Sequence, residues 1–387
     1  MMLQTDSYGK KNKHRKKILF VTGTRADFGK LKGLMEHVKN SKLFEHGIFA
    51  TGMHLLKRYG STINEIHKAG FKNIYPHINQ DDVVGAQMDY VLANTIQGLG
   101  LYVREFSPDL IVVHGDRIEA LAGSMVGSLN NILVAHVEGG EISGTIDELL
   151  RHAITKLSHV HFAGNRQARK RLIQLGEKPS NIFVIGSPNI DIMLSSRLPS
   201  LQKVKQRYRI PFKKYAIFSY HPVTTELPLL KKNITTVLEA LKDSDLNFVM
   251  IYPNNDTGSE IIVDEISKLK DHDRFKLVTS MRFEYFLTLL KRSSAIIGNS
   301  SAGICEAPVY GIPTINIGTR QNKRFNHDSI IHLPENHNKI LDTLQKVPKK
   351  SSPSLHFGKG NSAKLFGEIL KKESFWKRNC QKTFRDI

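Results

Sequence analysis

The chain alternates short, wholly apolar runs with amphipathic stretches. That rhythm points to one class of fold, a parallel sheet covered by helices on both faces. KILFVT at 17–22 reads as the first strand, followed by a Gly-containing turn. A helix is expected over 30–40, with Leu31, Leu34, Met35 and Val38 on one stripe. GIFATG at 47–52, DLIVVHGD at 109–116 and ILVAHVEGG at 132–140 continue the strands. Helices are expected over 55–69, 88–105 and 118–130. The pattern resets at 186–209, where Pro188, Pro199 and a polar, basic run read as an interdomain connection. A second series follows, with strands at 215–220, 247–252, 275–278, 295–298 and 314–318 and helices over 229–242 and 283–292. The expectation is an α/β protein of two Rossmann-like, doubly wound domains. Strand ends from both would meet around one cleft, where ligands bind in open α/β sheets.

Composition narrows the class. The 387 residues are 40% hydrophobic, enough for ordinary cores. No window approaches about 18 consecutive apolar residues, so no membrane-spanning helix is expected. The polar, basic start is not a secretory signal. Two cysteines, Cys305 and Cys380, exclude a disulfide framework and a multi-cysteine zinc site, and fit a reducing cytoplasm. The net charge of +20 comes from 56 basic and 36 acidic residues, many of the basic ones at the two ends. Such ends read as solvated tails. No zinc-finger spacing, RNP-like motif or helix-turn-helix accompanies them, so nucleic acid is not an expected partner.

The chemistry-bearing residues gather just after apolar strands. GTRADFGK at 23–30 offers glycines for a tight turn and Arg25 as a phosphate clamp, and fits a plain strand-to-helix turn equally well. His114 and Asp116 follow one strand, and His136 and Glu138 the next. Asp147 and Glu148 open a helix near 146. Such a cluster suits general acid–base work, and acids in a first helical turn are also ordinary. A metal held by His114, Asp116, His136 and Glu138 is the rival reading. The second half supplies His221, Asn254 and Asp256, then GNSSAGICEAP with Ser300, Ser301 and Glu306, then Arg320. Small residues at a helix start suit a diphosphate, and serine there is also a good helix cap. Cys305 reads as a small buried residue rather than a nucleophile.

Seven segments carry a family likeness: TGTRADFGKLK, HGDR, HVEGGEISGTIDELLRHAITKLSH, IGSP, HPVTT, PNND and GNSSAGICEAPVYGIPTINIGTRQ, in order from about residue 17 to 321. With them the chain resembles the hydrolysing UDP-N-acetylglucosamine 2-epimerases of the sialic acid pathway. The resemblance implies a GT-B-like fold with the active site in the cleft between the domains. It implies a basic tail over 1–16, domains over 17–187 and 188–361, and a C-terminal helix and basic tail over 362–387, the helix crossing back to the first domain. The implied reaction expels UDP from C1 with loss of the C2 proton, passes through a glycal, and adds water at C1 and a proton to the other face of C2. UDP and free N-acetylmannosamine result.

By motif match, Asp116, Glu138, Asp147 and Glu148 are the implied acid–base groups, with His114 and His136 in support. Arg25, Arg117, His221, Asn254, Ser300, Ser301, Glu306 and Arg320 are the implied UDP and diphosphate contacts. Gly29 stands where mammalian relatives have serine. No metal and no cofactor is implied. The implied partners are a nucleotide-diphosphate sugar and, as a homodimer or homotetramer, further copies of the chain. The Glu138–Ser143 block replaces the EAGLRT-type block of the non-hydrolysing bacterial enzymes, which favours release of a free sugar. UDP- or GDP-N,N′-diacetylbacillosamine, on the route to legionaminic acid, is the alternative substrate. A GT-B glycosyltransferase using the same diphosphate site is the alternative of another class.

Overall fold

A computed structural model describes residues 15–80, 87–143, 146–254, 256–322 and 324–386. The N-terminal basic residues Lys10, Lys11 and Lys13 lie outside these. Strands β1 (Lys16–Thr22), β2 (Phe44–Ala50), β3 (Ile74–Pro76), β4 (Leu110–His114), β5 (Leu133–Val137), β6 (Val160–Ala163) and β7 (Ile182–Val184) form one sheet. Their order is β3-β2-β1-β4-β5-β6-β7, all parallel. The first-half helices are α1 (Arg25–Lys39), α2 (Ile63–Lys68), α3 (Met88–Phe106), α4 (Ile118–Leu129), α5 (Ile146–Leu157) and α6 (Arg166–Gln174).

The second sheet holds β8 (Ala216–Ser219), β9 (Phe248–Ile251), β10 (Phe275–Val278), β11 (Ile296–Gly298), β12 (Thr314–Ile317) and β13 (Ile330–Leu333). Its order is β10-β9-β8-β11-β12-β13, also all parallel. Helices α7 (Pro188–Met193) and α8 (Leu201–Tyr208) precede this sheet. Around it run α9 (Leu227–Asp243), α10 (Ser259–Ser267), α11 (Phe283–Arg292), α12 (Ser301–Cys305) and α13 (His337–Gln345). Two short helices follow, α14 (Ser362–Leu370) and α15 (Glu373–Trp376).

The order in which successive strands are added reverses between β1 and β4 and again between β8 and β11, which opens a crevice at the strand C-termini there in each sheet. The two halves meet through α1, whose apolar stripe (Leu31, Leu34, Met35 and Val38) is buried. Helix α14 returns to the first half. Phe366, Leu370 and Phe375 share one apolar cluster with Ile18, Phe20 and Leu34, each such buried side chain contributing about 1.5–3 kcal/mol. Asp191 of α7 accepts the first amides of α14, Ser362 N at 2.9 Å and Ala363 N at 2.8 Å.

Four expectations need correction. The helix expected over 55–69 is limited to α2, because Gly60 and Ser61 have left-handed backbone (φ 86° and 46°) that closes a 3-10 turn first. The first helix begins at Arg25, not Lys30, since the Thr24 hydroxyl accepts from Asp27 N at 3.1 Å and caps it. The connection over 186–209 holds α7 and α8, the latter capped by Ser200. The C-terminal basic end is docked rather than free. Lys382 Nζ lies 2.6 Å from Glu177 Oε2 and 2.7 Å from Ser158 O, and Arg385 donates to Glu177 O at 3.0 Å.

Candidate active site

The C-terminal ends of β1, β4 and β5 bring three chemistry-bearing segments to one crevice. His114 ends β4. Its Nε2 is 2.9 Å from Glu138 Oε2, and its Nδ1 is 2.9 Å from Asp27 Oδ1. The first contact is a hydrogen bond. The second is an ion-pair approach, since Asp27 Oδ1 lacks an in-line hydrogen-bond partner. Asp27 reaches this point from the first turn of α1, where its Oδ2 accepts from Gly23 N at 3.2 Å. Burial would lower the His114 pKa, but the Glu138 and Asp27 carboxylates outweigh it and raise it to about 9. His114 is therefore an imidazolium between two carboxylates near neutral pH.

Glu138 follows β5 with left-handed backbone (φ 64°). The Ser187 hydroxyl donates to its Oε1. Lys30, one turn beyond Asp27 on α1, lies 4.0 Å from Glu138 Oε2 and 3.7 Å from Glu306 Oε1. Burial opposes ionisation of Glu138, yet Lys30 and His114 prevail and hold its carboxyl below the usual range. Asp116 accepts from Arg151 Nη2. Burial again opposes the charge, and Arg151 and Arg324 overcome it. The Nε and Nη1 atoms of Arg151 and the Nε of Arg324 are buried without hydrogen-bond partners. His114, Asp116, Glu138 and Asp147 line one cleft of about 980 Å³ together with Ser301 and Arg320 of the second half.

The second half supplies the facing wall. Asn299, fully buried, accepts from His221 N at 2.7 Å and donates to His221 O at 2.9 Å. Those two bonds hold the turn after β8 against the end of β11. Burial and then Arg320 lower the His221 pKa to about 3, so the ring is neutral. His221 Nδ1 accepts from Asn254 N at 3.4 Å. Arg320 brings positive charge to this wall beside Arg324, with Nη2 at 3.4 Å from Asp147 Oδ2 and Nη1 at 3.4 Å from Asn299 O. The Ser300 hydroxyl caps the five-residue α12, accepting from Ala302 N at 3.3 Å. Glu306 accepts from Asn189 Nδ2 at 2.8 Å through Oε1, while its buried Oε2 has no hydrogen-bond partner. Arg25, His221, Ser300, Ser301, Glu306 and Arg320 line one adjoining compartment. Arg25 bridges the halves there, 3.0 Å from Glu65 Oε1 and donating to Ser280 Oγ at 2.6 Å. Arg117, paired with Glu119 at 3.3 Å, lines the cleft beside Asp147.

Two expected residues stand elsewhere. His136 is wholly enclosed beneath the crevice and bonds to Gly115 O and Thr155 Oγ1. In the register His114 lies beside Val137, and His136 beside Val113, so the two rings take opposite faces of the sheet. The four-residue metal set of His114, Asp116, His136 and Glu138 does not converge for this reason. Among the described residues, no group of three or more His, Cys, Asp or Glu is arranged to hold a metal ion. Glu148 turns outward, accepting from Ser143 N at 3.2 Å and facing His152 at 3.8 Å. Cys305 is half-buried, and burial raises its thiol to about 12.

Asp27, Lys30, Arg151, Asn299 and Arg324 join the site beyond the residues that the sequence motifs imply. A signal existed for two pairs. Asp27 and Lys30 are spaced i,i+3, and Asp147 and Arg151 i,i+4, so each pair shares one helical face.

Comparison with known proteins identifies the family and the fold. The family model described as UDP-N-acetylglucosamine 2-epimerase matches residues 36–371. A Neisseria meningitidis serogroup B protein named UDP-N-acetylglucosamine 2-epimerase is 45% identical, over 96% of this chain and 99% of its own. A Legionella pneumophila protein named UDP-N,N′-diacetylbacillosamine 2-epimerase (hydrolyzing) is 33% identical, over 92% of this chain and 96% of its own. The fold matches the solved Methanocaldococcus jannaschii UDP-GlcNAc 2-epimerase in complex with UDP-GlcNAc and UDP. The TM-score is 0.78 at 21% identity, covering 92% of this chain and 99% of that one.

Proposed function

The chain belongs to the UDP-N-acetylglucosamine 2-epimerase family, and from that premise we propose that it is of the hydrolysing type, converting UDP-N-acetylglucosamine and water to UDP and free N-acetylmannosamine for sialic acid biosynthesis. The observation that carries it is the pair of ionised carboxylates, Asp116 and Glu138, at the ends of adjacent strands in one buried cleft. A C2 epimerisation needs a base on one face of the sugar and an acid on the other. Asp116 takes the C2 proton as the C1–O bond to UDP breaks and C1=C2 forms. Water then adds its oxygen to C1 and releases a proton to solvent, and Glu138 delivers a proton to the opposite face of C2. As the products leave, Asp116 loses its proton to solvent and His114 regains one from solvent. His114 supplies the proton that Glu138 delivers from Nε2, 2.9 Å from Glu138 Oε2.

Arg320, Ser300 and Ser301 take the departing diphosphate. Neutral His221, whose Nδ1 accepts from Asn254 N, carries its proton on Nε2 and donates from there without adding charge. The free Oε2 of Glu306 suits a ribose hydroxyl. The hydrolysing type is supported by the Glu138–Ser143 block and by the name of the 33% identical relative. That same name favours the nucleotide-linked N,N′-diacetylbacillosamine as second candidate.

Proton NMR of the protein with UDP-N-acetylglucosamine in D2O tests the assignment. The expected products are UDP and N-acetylmannosamine carrying deuterium at C2. A 2-epimer still attached to UDP means the non-hydrolysing reaction. Turnover only with UDP- or GDP-N,N′-diacetylbacillosamine moves the substrate and keeps the chemistry. Silence with all three favours a glycosyltransferase.

A further inference from the structure

Beneath the cleft lies a buried polar group that the chemistry above leaves without a task. His136 is fully enclosed. Its Nε2 is 2.7 Å from Gly115 O, and its Nδ1 is 3.1 Å from Thr155 Oγ1. A carbonyl oxygen only accepts, so Nε2 carries the proton and Nδ1 accepts from the Thr155 hydroxyl. Burial, the largest influence, lowers this imidazole to about 3, so the ring is neutral and its partners choose the tautomer. An isolated imidazole and hydroxyl are costly to enclose where apolar groups would fill the space.

The ring touches both turns that carry the reacting carboxylates. Gly115 precedes Asp116. On the other side, a Cβ on Gly139 would sit 2.8 Å from His136 Nδ1 and 3.2 Å from Thr155 Oγ1. That close approach places the ring against the residue after Glu138, whose left-handed backbone needs support from its surroundings. Thr155, fully buried, belongs to α5, which carries Asp147 and Arg151 into the same cleft.

We propose that His136, held in its Nε2–H form by the Gly115 carbonyl and anchored through Nδ1 by the Thr155 hydroxyl, is a positioning residue that ties the Asp116 turn, the Glu138 turn and helix α5 into one unit. The role rests on the acid–base assignment of Asp116 and Glu138 given above. His136 does not touch substrate. It sets where the two carboxylates stand relative to the sugar, and small misplacements of such groups change rates strongly.

Thr155→Val removes the hydroxyl at nearly constant shape and leaves Nδ1 without a donor. The expected result is a fall in kcat of about 10- to 100-fold, with KM and the Kd for UDP within about twofold of the parent, and recovery of most activity in Thr155→Ser. A Thr155→Val protein with parental kcat overturns the proposal, as does an equal loss in both variants. The unaltered protein, labelled with 15N-histidine, gives a readout that needs neither turnover nor a variant that folds. A proton on Nε2 and a bare Nδ1 are expected for His136 near pH 7. A proton on Nδ1, or a charged ring, overturns the assignment. Failure of the unaltered protein to convert any of the three nucleotide sugars would instead count against the function, and the tautomer measurement would still decide this point.

Discussion

At His114 two carboxylates share one cation, and the balance depends on both. With Asp27 and Glu138 ionised the trio carries a net single negative charge, and the imidazolium is held by contacts of 2.9 Å on each side. Neutralising Asp27 removes one of the two influences that keep the proton on the ring, and with it the source that reloads Glu138. Asp27→Asn keeps the size of the side chain and is expected to lower kcat about 100-fold, while the Kd for UDP by calorimetry stays within about twofold of the parent. Unchanged kcat would mean that Glu138 is reprotonated from solvent. Asp27 was hidden because an acid three residues after a capping threonine already has an ordinary helical explanation, and its contact with His114 spans 87 positions. The separation of His136 from Glu138 was hidden for a different reason. Two residues apart on a strand, they should share a face. The left-handed backbone at Glu138 breaks that alternation just beyond β5, and a backbone angle leaves no mark in composition. Asp147 and Glu148 were separable in principle. Asp147 shares its face with Arg151 toward the cleft, and Glu148 shares the next stripe with His152 toward solvent.

Helix α1 serves both halves of the molecule, and it approaches α11 closely at Gly29. A Cβ on Gly29 would fall 2.7 Å from Phe283 Cβ. Ion pairs flank this contact, Lys32–Glu284 at 2.8 Å on one side and Glu65 with Arg25 and Arg282 at 3.0 and 3.4 Å on the other. Partly exposed pairs of this kind contribute little each, so the fit at Gly29 governs how closely the helices approach. Gly29→Ala is expected to destabilise the protein by about 1–3 kcal/mol through overpacking. It should also raise KM for the nucleotide sugar, because Arg25 and Lys30 reach the second half from the same helix. Gly100→Ala in α3, where a Cβ would meet nothing within 4 Å, is the control. It is expected to be neutral or slightly stabilising. Thermal melts and steady-state kinetics check both, and parental values for Gly29→Ala would show that the two helices yield freely. At this scale the sequence was most legible where apolar runs were long. Strands β1, β4, β5, β8 and β9 stand within a few residues of their expected places. Strands β8 and β9 are no longer than β6 and β13 but are uninterrupted in sequence, whereas β3, β6 and β13 carry Pro76, His161 and His332, and β7 has three residues. The connection over 186–209 looked like a linker because Pro188 and Pro199 read as breakers. Pro188 instead occupies the first helical position of α7, where a missing N–H does no harm.

The whole molecule carries an unusual histidine balance, and it sets how stability should vary with pH. The buried rings of His54, His136, His159, His161 and His221 are all shifted below the ordinary imidazole range. His54 is lowered to about 4, and His136 and His221 to about 3, burial being the leading cause in each. On unfolding each returns to an ordinary value near 6.5. Between pH 6.5 and 4 the unfolded chain therefore binds more protons than the folded one, and stability falls as pH falls. Asp116 and Glu138, held below the usual carboxylate range, extend that loss to lower pH. His114 works in the opposite sense. Its folded pKa of about 9 lies above its unfolded value. Its contribution is complete below about pH 6.5 and is lost as pH rises through 9. His114 acts on the alkaline limb and the buried histidines, His159 and His161 among them, on the acid limb, each changing stability by up to about 1.4 kcal/mol per pH unit within its own window. The expected profile is an asymmetric dome with its maximum near pH 6.5, steeper toward acid than toward alkali. Melting temperatures measured from pH 4.5 to 9.5 check it. His114→Gln should flatten the alkaline limb and leave the acid limb in place. A parent protein whose melting temperature rises steadily from pH 7 to 9 would mean that His114 is not charged in the folded state, and Glu138 would then have no stored proton to deliver.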